Sequence, residues 1–249
     1  LSDGFGRYNN NAMPGCVMAM DGWVCATRCP STKEATNQIA FRNRKGFWGL
    51  VLFAGCDADL RFLMVSAISP GSTNDSLAWK NSIVYKEIIA ENKLPPDYYF
   101  VVDEAITSTE NVLSPYGGHA IGRQRDSFNY YLSSMRQCIE RAFGLLTKRW
   151  GIFWRPLETN INTWTLIITV CCKLHNLCID YNIINKFPDN ENFVTINRVF
   201  THEYTNTSIE ELPQFTEASH NCSNKRLKIT AELDLAGIVR PHINRNSKI

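Results

Sequence analysis

Cys16-Val17-Met18-Ala19-Met20-Asp21-Gly22 is an apolar run closed by a carboxylate and a glycine, the form of a buried strand whose last residue emerges at the end of a sheet. The same design returns after Pro95-Pro96, where Tyr98-Tyr99-Phe100-Val101-Val102 is aromatic and β-branched and stops at Asp103. Between the two, apolar runs over 47–56 and 60–68 flank Asp57-Ala58-Asp59, a turn-forming cluster that predicts an antiparallel hairpin. Pro70-Gly71-Ser72-Thr73-Asn74 breaks the second run, and Asp75 opens a stretch with Leu77, Ile83, Val84, Ile88 and Ile89 at mostly helical spacing. Either Asn74 or Asp75 could cap that helix. Phe128, Leu132, Met135, Ile139, Ala142, Phe143 and Leu146 then recur at steps of three and four, which predicts a long amphipathic helix carrying Glu140. A last helix, from about Trp164 to Ile179, is apolar on most faces and is expected to pack behind the sheet.

Strands alternating with helices predict an α/β fold with a mixed sheet flanked by helices. The 249 residues are 44% hydrophobic, enough for one sizeable core. The 26 Lys and Arg nearly balance the 24 Asp and Glu, so any nucleic-acid affinity would have to come from a local patch. Nine cysteines, an odd number, argue against a disulfide-stapled secreted chain. The longest apolar stretch, 166–172, is far short of the roughly 20 residues of a membrane span. Composition shifts near Tyr181. Residues 1–180 read as the folded body, and 181–249 as a polar, weakly ordered tail with Lys225, Arg226, Lys228, Arg240, Arg245 and Lys248, suited to nuclear import or DNA tethering. The chain opens on Leu1 with neither initiator Met nor apolar signal segment, and is expected to be a piece of a longer protein.

Strand ends on one edge of a mixed sheet converge, so Asp21 and Asp103 could be neighbours although 82 residues separate them (103 minus 21). With Asp75 opening one helix and Glu140 on another, three or four carboxylates are candidates for one site. Such a cluster repels itself unless a divalent cation neutralises it, and oxygen-only ligation selects Mg²⁺ or Mn²⁺ over zinc. Two such ions about 4 Å apart form the clamp used for in-line phosphoryl displacement. The expected chemistry is metal-assisted cleavage or transfer of a phosphodiester.

Six stretches in one order carry a family resemblance: 14–22, 56–66 and 70–76; Asp103 with Leu113-Ser114-Pro115-Tyr116; Phe128-Asn129 with 136–144; and Leu174-His175-Asn176. Together, over roughly residues 12–180, they resemble the DDE endonuclease domain of PIF/Harbinger transposases. The resemblance implies an RNase H-like fold and a nuclease that cuts double-stranded DNA at transposon ends and joins the freed 3′ hydroxyl to a target. Position by position it implies that Asp21, Asp103 and Glu140 are the catalytic triad, with Asp75 as a fourth metal ligand, and that the protein works in the nucleus. Family members usually carry a helix-turn-helix before this domain or on a partner protein, and a homodimer is compatible with the pattern. The departures are Trp23-Val24 where Thr-His is usual, Asn74 where His is usual, and Glu104-Ala105-Ile106-Thr107 in place of Ser-Gly-Tyr-Pro. They leave open a second reading, a domesticated, catalytically inactive DNA- or protein-binding module that keeps the fold.

Each assignment has a plainer competitor. Asp75 could simply cap its helix. Glu140 beside Arg136 could be an exposed i, i+4 ion pair worth about 0.3–0.5 kcal/mol. Cys172, His175 and Cys178, with Cys25 and Cys29, invite a zinc reading but lack paired CxxC spacing, so core packing is favoured. Candidate DNA contacts are Arg42, Arg44 and Lys45, and Arg123, Arg125, Arg136, Arg141, Lys148, Arg149 and Arg155 around the Glu140 helix. Trp150 and Trp154 could stack on a base or pack at the core rim.

Overall fold

In the computed structural model, which describes residues 1–118, 121–183 and 223–241, five strands form one mixed sheet in the order β3-β2-β1-β4-β5. Strands β1 (Cys16–Ala26), β2 (Gly49–Cys56) and β3 (Phe62–Pro70) are antiparallel neighbours. The short β4 (Tyr99–Val101) and β5 (Val112–Leu113) run parallel to β1. Three antiparallel strands extended by two parallel ones, with helices on both faces, give the RNase H-like mixed α/β arrangement expected.

Strand β2 is buried along its whole length, because both faces of the sheet are covered. On one face Leu50, Leu52, Ala54 and Cys56 share a core with α1 (Ser2–Asn9), α3 (Gly122–Arg149) and α4 (Ile161–Asp180). On the other, Val51 and Phe53 pack with Ala78 and Trp79 of α2 (Asp75–Asn81). Phe128, Leu132, Met135, Ile139 and Leu146 of α3 are at most 1% exposed, and each contributes about 1.5–3 kcal/mol by leaving water. The hairpin turn is fixed by Asp57, whose Oδ1 accepts the amides of Asp59 and Arg61, each at 2.9 Å.

The structure departs from the sequence reading in four places. Strand β1 does not end at Asp21 but continues to Ala26, because β2 keeps pairing with it after β4 has stopped. The helix opened by Asp75 breaks at Ser82 and resumes as a π-helical turn over Tyr85–Ile89: Ser82 is extended and its Oγ accepts the Tyr85 amide at 3.2 Å, with Leu77 and Ile83 exposed on either side. Helix α4 buries Trp164, Ile168, Cys171, Cys172 and His175 but leaves Leu166, Val170 and Leu177 in solvent, so only one side packs behind the sheet.

The fourth departure lies in the stretch read as a tail, where 223–241 folds back as α5 (Asn224–Leu235). Ile229 and Leu233 enter the main core. Glu110 accepts the amides of Asn224 (2.8 Å) and Lys225 (3.1 Å), an anion on a helix N-terminus. Arg226 is buried 4.2 Å from the Tyr116 ring and donates to the carbonyls of Ser114 (3.2 Å) and Pro115 (3.3 Å). Arg240 pairs with Asp126 at 3.0 Å. Two of the basic residues read as a tether therefore hold the fold together. Arg245, Lys248 and the polar stretch 190–211 lie outside the described residues. Among the described residues no helix is long and apolar enough to cross a membrane.

Candidate active site

The pairing of β1 with β4 places the first two acids. Met18 aligns with Phe100 and Ala19 with Val101 in parallel register. Two residues further along stand Asp21, still within β1, and Asp103, just past the end of β4, so both acids lie at the same end of the sheet. Parallel strands carry equal residue offsets to equal heights, so this register brings the two acids to the same end of the sheet.

Asp21 and Gly22 point to opposite faces of β1, as successive strand residues must. Asp21 lies on the α3 side, where Arg136 reaches it and its neighbour Trp23 stacks on Phe143 with ring centroids 6.1 Å apart. Gly22 faces α2, and a Cβ built there would overlap Oδ1 of Asp75. The glycine thus leaves the space that the Asp75 carboxylate fills. The cap question is settled as well: Asn74 Oδ1 accepts the Leu77 amide at 2.8 Å, so Asn74 caps α2 and Asp75 is free to face β1. Gly22→Ala is expected to push Asp75 away and lower the stability of the metal-free protein by about 1–3 kcal/mol. Gly144→Ala, at a helical glycine with nothing within 4 Å, should instead raise it by about 0.5–1 kcal/mol. Thermal denaturation of the two variants checks both signs.

Burial, then the nearby negative charges of Asp75 and Asp103, push the Asp21 carboxyl up to about 6, against the pull of the Gly22 amide (2.8 Å) and of Arg136. Asp75 is raised too, by burial first and by Asp103 second, with Arg44 opposing. Asp21, Asp75 and Asp103 therefore feel one another, Asp75 from the α2 face, Asp21 from the α3 face and Asp103 from beyond β4. Arg44, in the loop before β2, stands close enough to offset part of that charge.

Glu140 joins this group only through an intermediary. Arg136 Nη2 contacts Glu140 Oε1 at 2.6 Å, and Nη1 of the same guanidinium reaches Asp21 Oδ2 at 3.1 Å. The i, i+4 pair read from sequence is present, but it extends to a strand 115 residues away. Glu104 points elsewhere, its Oε1 lying against Gly117.

The chemistry of the donor set fits a hard divalent cation: the groups brought together are carboxylates, and their mutual repulsion is what such an ion relieves. Their present arrangement is not yet a coordination shell. Among the described residues no three of His, Cys, Asp and Glu are grouped so as to hold a metal ion. In place of a zinc ligand, His175 is a packed core residue, with Nδ1 3.3 Å from Arg149. His175 is fully buried with Nε2 2.9 Å from the Leu60 carbonyl, and Asn176 brackets Phe62, accepting from its amide and donating to its carbonyl, both at 2.8 Å.

Several basic residues singled out for DNA contact have internal duties. Arg149 hydrogen-bonds the His175 carbonyl at 3.2 Å, Arg141 lies 5.8 Å from the Tyr8 ring, and Arg125 lies 5.1 Å from that of Tyr116. Trp154 donates to the Thr147 carbonyl at 2.8 Å, and Trp150 packs against the core. Sequence reasoning missed Gly22 and the second contact of Arg136. The Asp-Gly pair was a usable signal for the first; nothing in the sequence ties Arg136 to Asp21.

The family profile described as DDE superfamily endonuclease matches residues 20–176. "Protein ALP1-like" of Arabidopsis thaliana is 32% identical over 185 residues, 68% of this chain and 44% of that protein. "Putative nuclease HARBI1" of Mus musculus is 24% identical over 186 residues, 74% of this chain and 51% of that protein. The chain thus spans about half the length of these relatives. No solved structure matches.

Proposed function

The chain belongs to the DDE superfamily endonuclease family, and from that membership we propose that it is a divalent-metal-dependent DNA endonuclease domain of transposase type, acting in the nucleus. The observation that supports this reading is the parallel pairing of β1 with β4, which brings Asp21 and Asp103 to one end of the sheet with Asp75 against Gly22 beside them. Asp21, Asp103 and Glu140, with Asp75 beside them, are the residues that would hold the cations. When bound, Mg²⁺ or Mn²⁺ supplies activation of the attacking oxygen and charge relief at the leaving oxygen.

The chain's own groups do the positioning. Asp21 is held by the Gly22 amide and packed by β1 and α3, so its carboxylate presents one fixed face to the reacting phosphate. Gly22 and the Asn74 cap keep Asp75 against the α2 face of β1, within reach of the Asp103 charge. Arg44, exposed beside Asp75, is suited to grip a phosphate next to the one being cut. Water attacks first and the freed 3′ hydroxyl attacks the target second, both at the site these acids define. Terminal-repeat recognition would come from a separate DNA-binding segment or partner, since the chain spans only half of its relatives.

The test is nicking of supercoiled plasmid. Nicking should require Mn²⁺ or Mg²⁺, stop with EDTA and resume when Mn²⁺ is added back. DNA binding that ignores EDTA, with no nicking in either metal, would instead support the inactive binding module.

A further inference from the structure

We propose that Arg136 is a positioning residue that stands in for the metal: its guanidinium holds Asp21 and Glu140 in the metal-free protein and must release them before a cation is coordinated. The inference rests on the endonuclease reading and extends it to a residue which that reading leaves without a role.

Three observations carry it. First, one guanidinium contacts both acids, at 3.1 Å and 2.6 Å. A plain i, i+4 pair on a helix surface would not reach across to β1. Second, the side chain of Arg136 is 21% exposed and that of Asp21 19%, whereas Glu140 is 48% exposed. Asp21 is fixed and Glu140 can swing, so the step that separates the two states is rotation of Glu140 away from Arg136. Third, the other oxygen of Asp21 accepts the Gly22 amide at 2.8 Å, so each oxygen of this acid already faces a donor in the metal-free protein.

The planar fork of Arg explains why this residue type suits the task. Its rigid fork aims separate donors at two carboxylates at once, whereas the compact ammonium of Lys has no such fixed geometry. A cation entering the site competes directly with the guanidinium for the same oxygens. Arg136 therefore lowers metal affinity while it stabilises the empty site.

The test is Mn²⁺ binding without DNA, by calorimetric titration and by loss of the free-ion electron paramagnetic signal, for wild type, Arg136→Met and Arg136→Lys. Arg136→Met should melt lower without metal yet bind Mn²⁺ about tenfold more tightly, which corresponds to about 1.4 kcal/mol. Arg136→Lys should fall between the two, and carries the comparison should the Met variant not fold. A merely structural arginine would lower the melting temperature and leave Mn²⁺ affinity unchanged; unchanged or weaker binding in the folded variants overturns the proposal. Wild type that binds while the variants gain nothing sinks only the role of Arg136. Failure of every protein to bind Mn²⁺ removes the endonuclease reading as well. Binding by the variants but not by wild type supports the proposal in its strongest form.

Discussion

Asp21→Asn is expected to abolish nicking and, in the same protein, to raise the melting temperature of the metal-free fold. Loss of a cation-holding carboxylate should lower the nicking rate by about a thousandfold, the upper end of what one preorganised electrostatic group supplies. The gain in stability follows from the carboxyl's position. Burial, with Asp75 and Asp103 adding to it, raises Asp21 from 3.8 to about 6. A carboxyl raised in the folded state contributes stability below its unfolded value and loses it as pH rises through the folded value. At pH 7 the ionised Asp21 therefore costs up to about 3 kcal/mol, at 1.36 kcal/mol per unit. Asparagine is neutral, nearly isosteric, and can still accept the Gly22 amide. A stabilisation of a few kcal/mol corresponds to several degrees in a chain of this size. Differential scanning calorimetry in EDTA, paired with the plasmid assay, checks both halves. Nicking retained in a folded Asp21→Asn protein would end the assignment of this residue.

Protonation of His175 should cost about 3 kcal/mol of stability between pH 6.5 and 4, a loss that Asp21 masks in the wild type and Asp21→Asn lays bare. This ring is fully buried, with one nitrogen at the Leu60 carbonyl and Arg149 close to the other. Burial first, and the Arg149 charge further down, lower it from 6.5 to about 4, while the Leu60 bond opposes them. A histidine lowered in the folded state leaves stability complete above 6.5. That stability drains as pH falls and levels off below about 4, because the unfolded chain takes up the proton first. The Asp21 window runs the other way over nearly the same range, since acidification relieves the cost of its charge. The wild-type profile should consequently be shallow from pH 6 to 4, and the Asp21→Asn profile steep. Urea midpoints measured across that range in both proteins separate the two groups. A flat profile in Asp21→Asn would mean that His175 is not held neutral.

Much of this was readable in the sequence, though sometimes for the wrong local reason. Asp21 and Asp103 were correctly brought to one end of the sheet from apolar runs that stop at carboxylates. Only Asp103 follows a strand end; Asp21 sits inside β1, at the point where one of its two neighbours has run out. A run of apolar residues reports burial on both sides, and cannot distinguish the end of a strand from the end of its partner. The Asp75 helix was placed at its true start, because Asn74 and the preceding Gly-Ser-Thr are local signals. Its break at Ser82 is a local cap of the next turn, through the Tyr85 amide, set inside a run whose apolar spacing stays helical on both sides. Helix α5 was lost to averaging: Ile229 and Leu233 are spaced for one helix face and Ser223 caps it with a bond of 3.3 Å to the Arg226 amide, but the surrounding composition is polar. Arg136 is the residue that sequence could least resolve. Its helical partner was four residues away and visible, whereas its strand partner depends on how α3 lies across β1.

The alignment of Ala19 with Val101 also bears on how such a site withstands mutational drift. Acids set by main-chain register keep their places whatever side chains follow them. Trp23-Val24 and Glu104-Ala105 can replace other residues while the β1–β4 register that carries Asp21 and the chain leading to Asp103 to one end of the sheet is kept. Divergence beside the acids is therefore a poor clock for loss of the site. The changes that would erase it are the less conspicuous ones, a side chain at Gly22 or an insertion between Ala19 and Asp21.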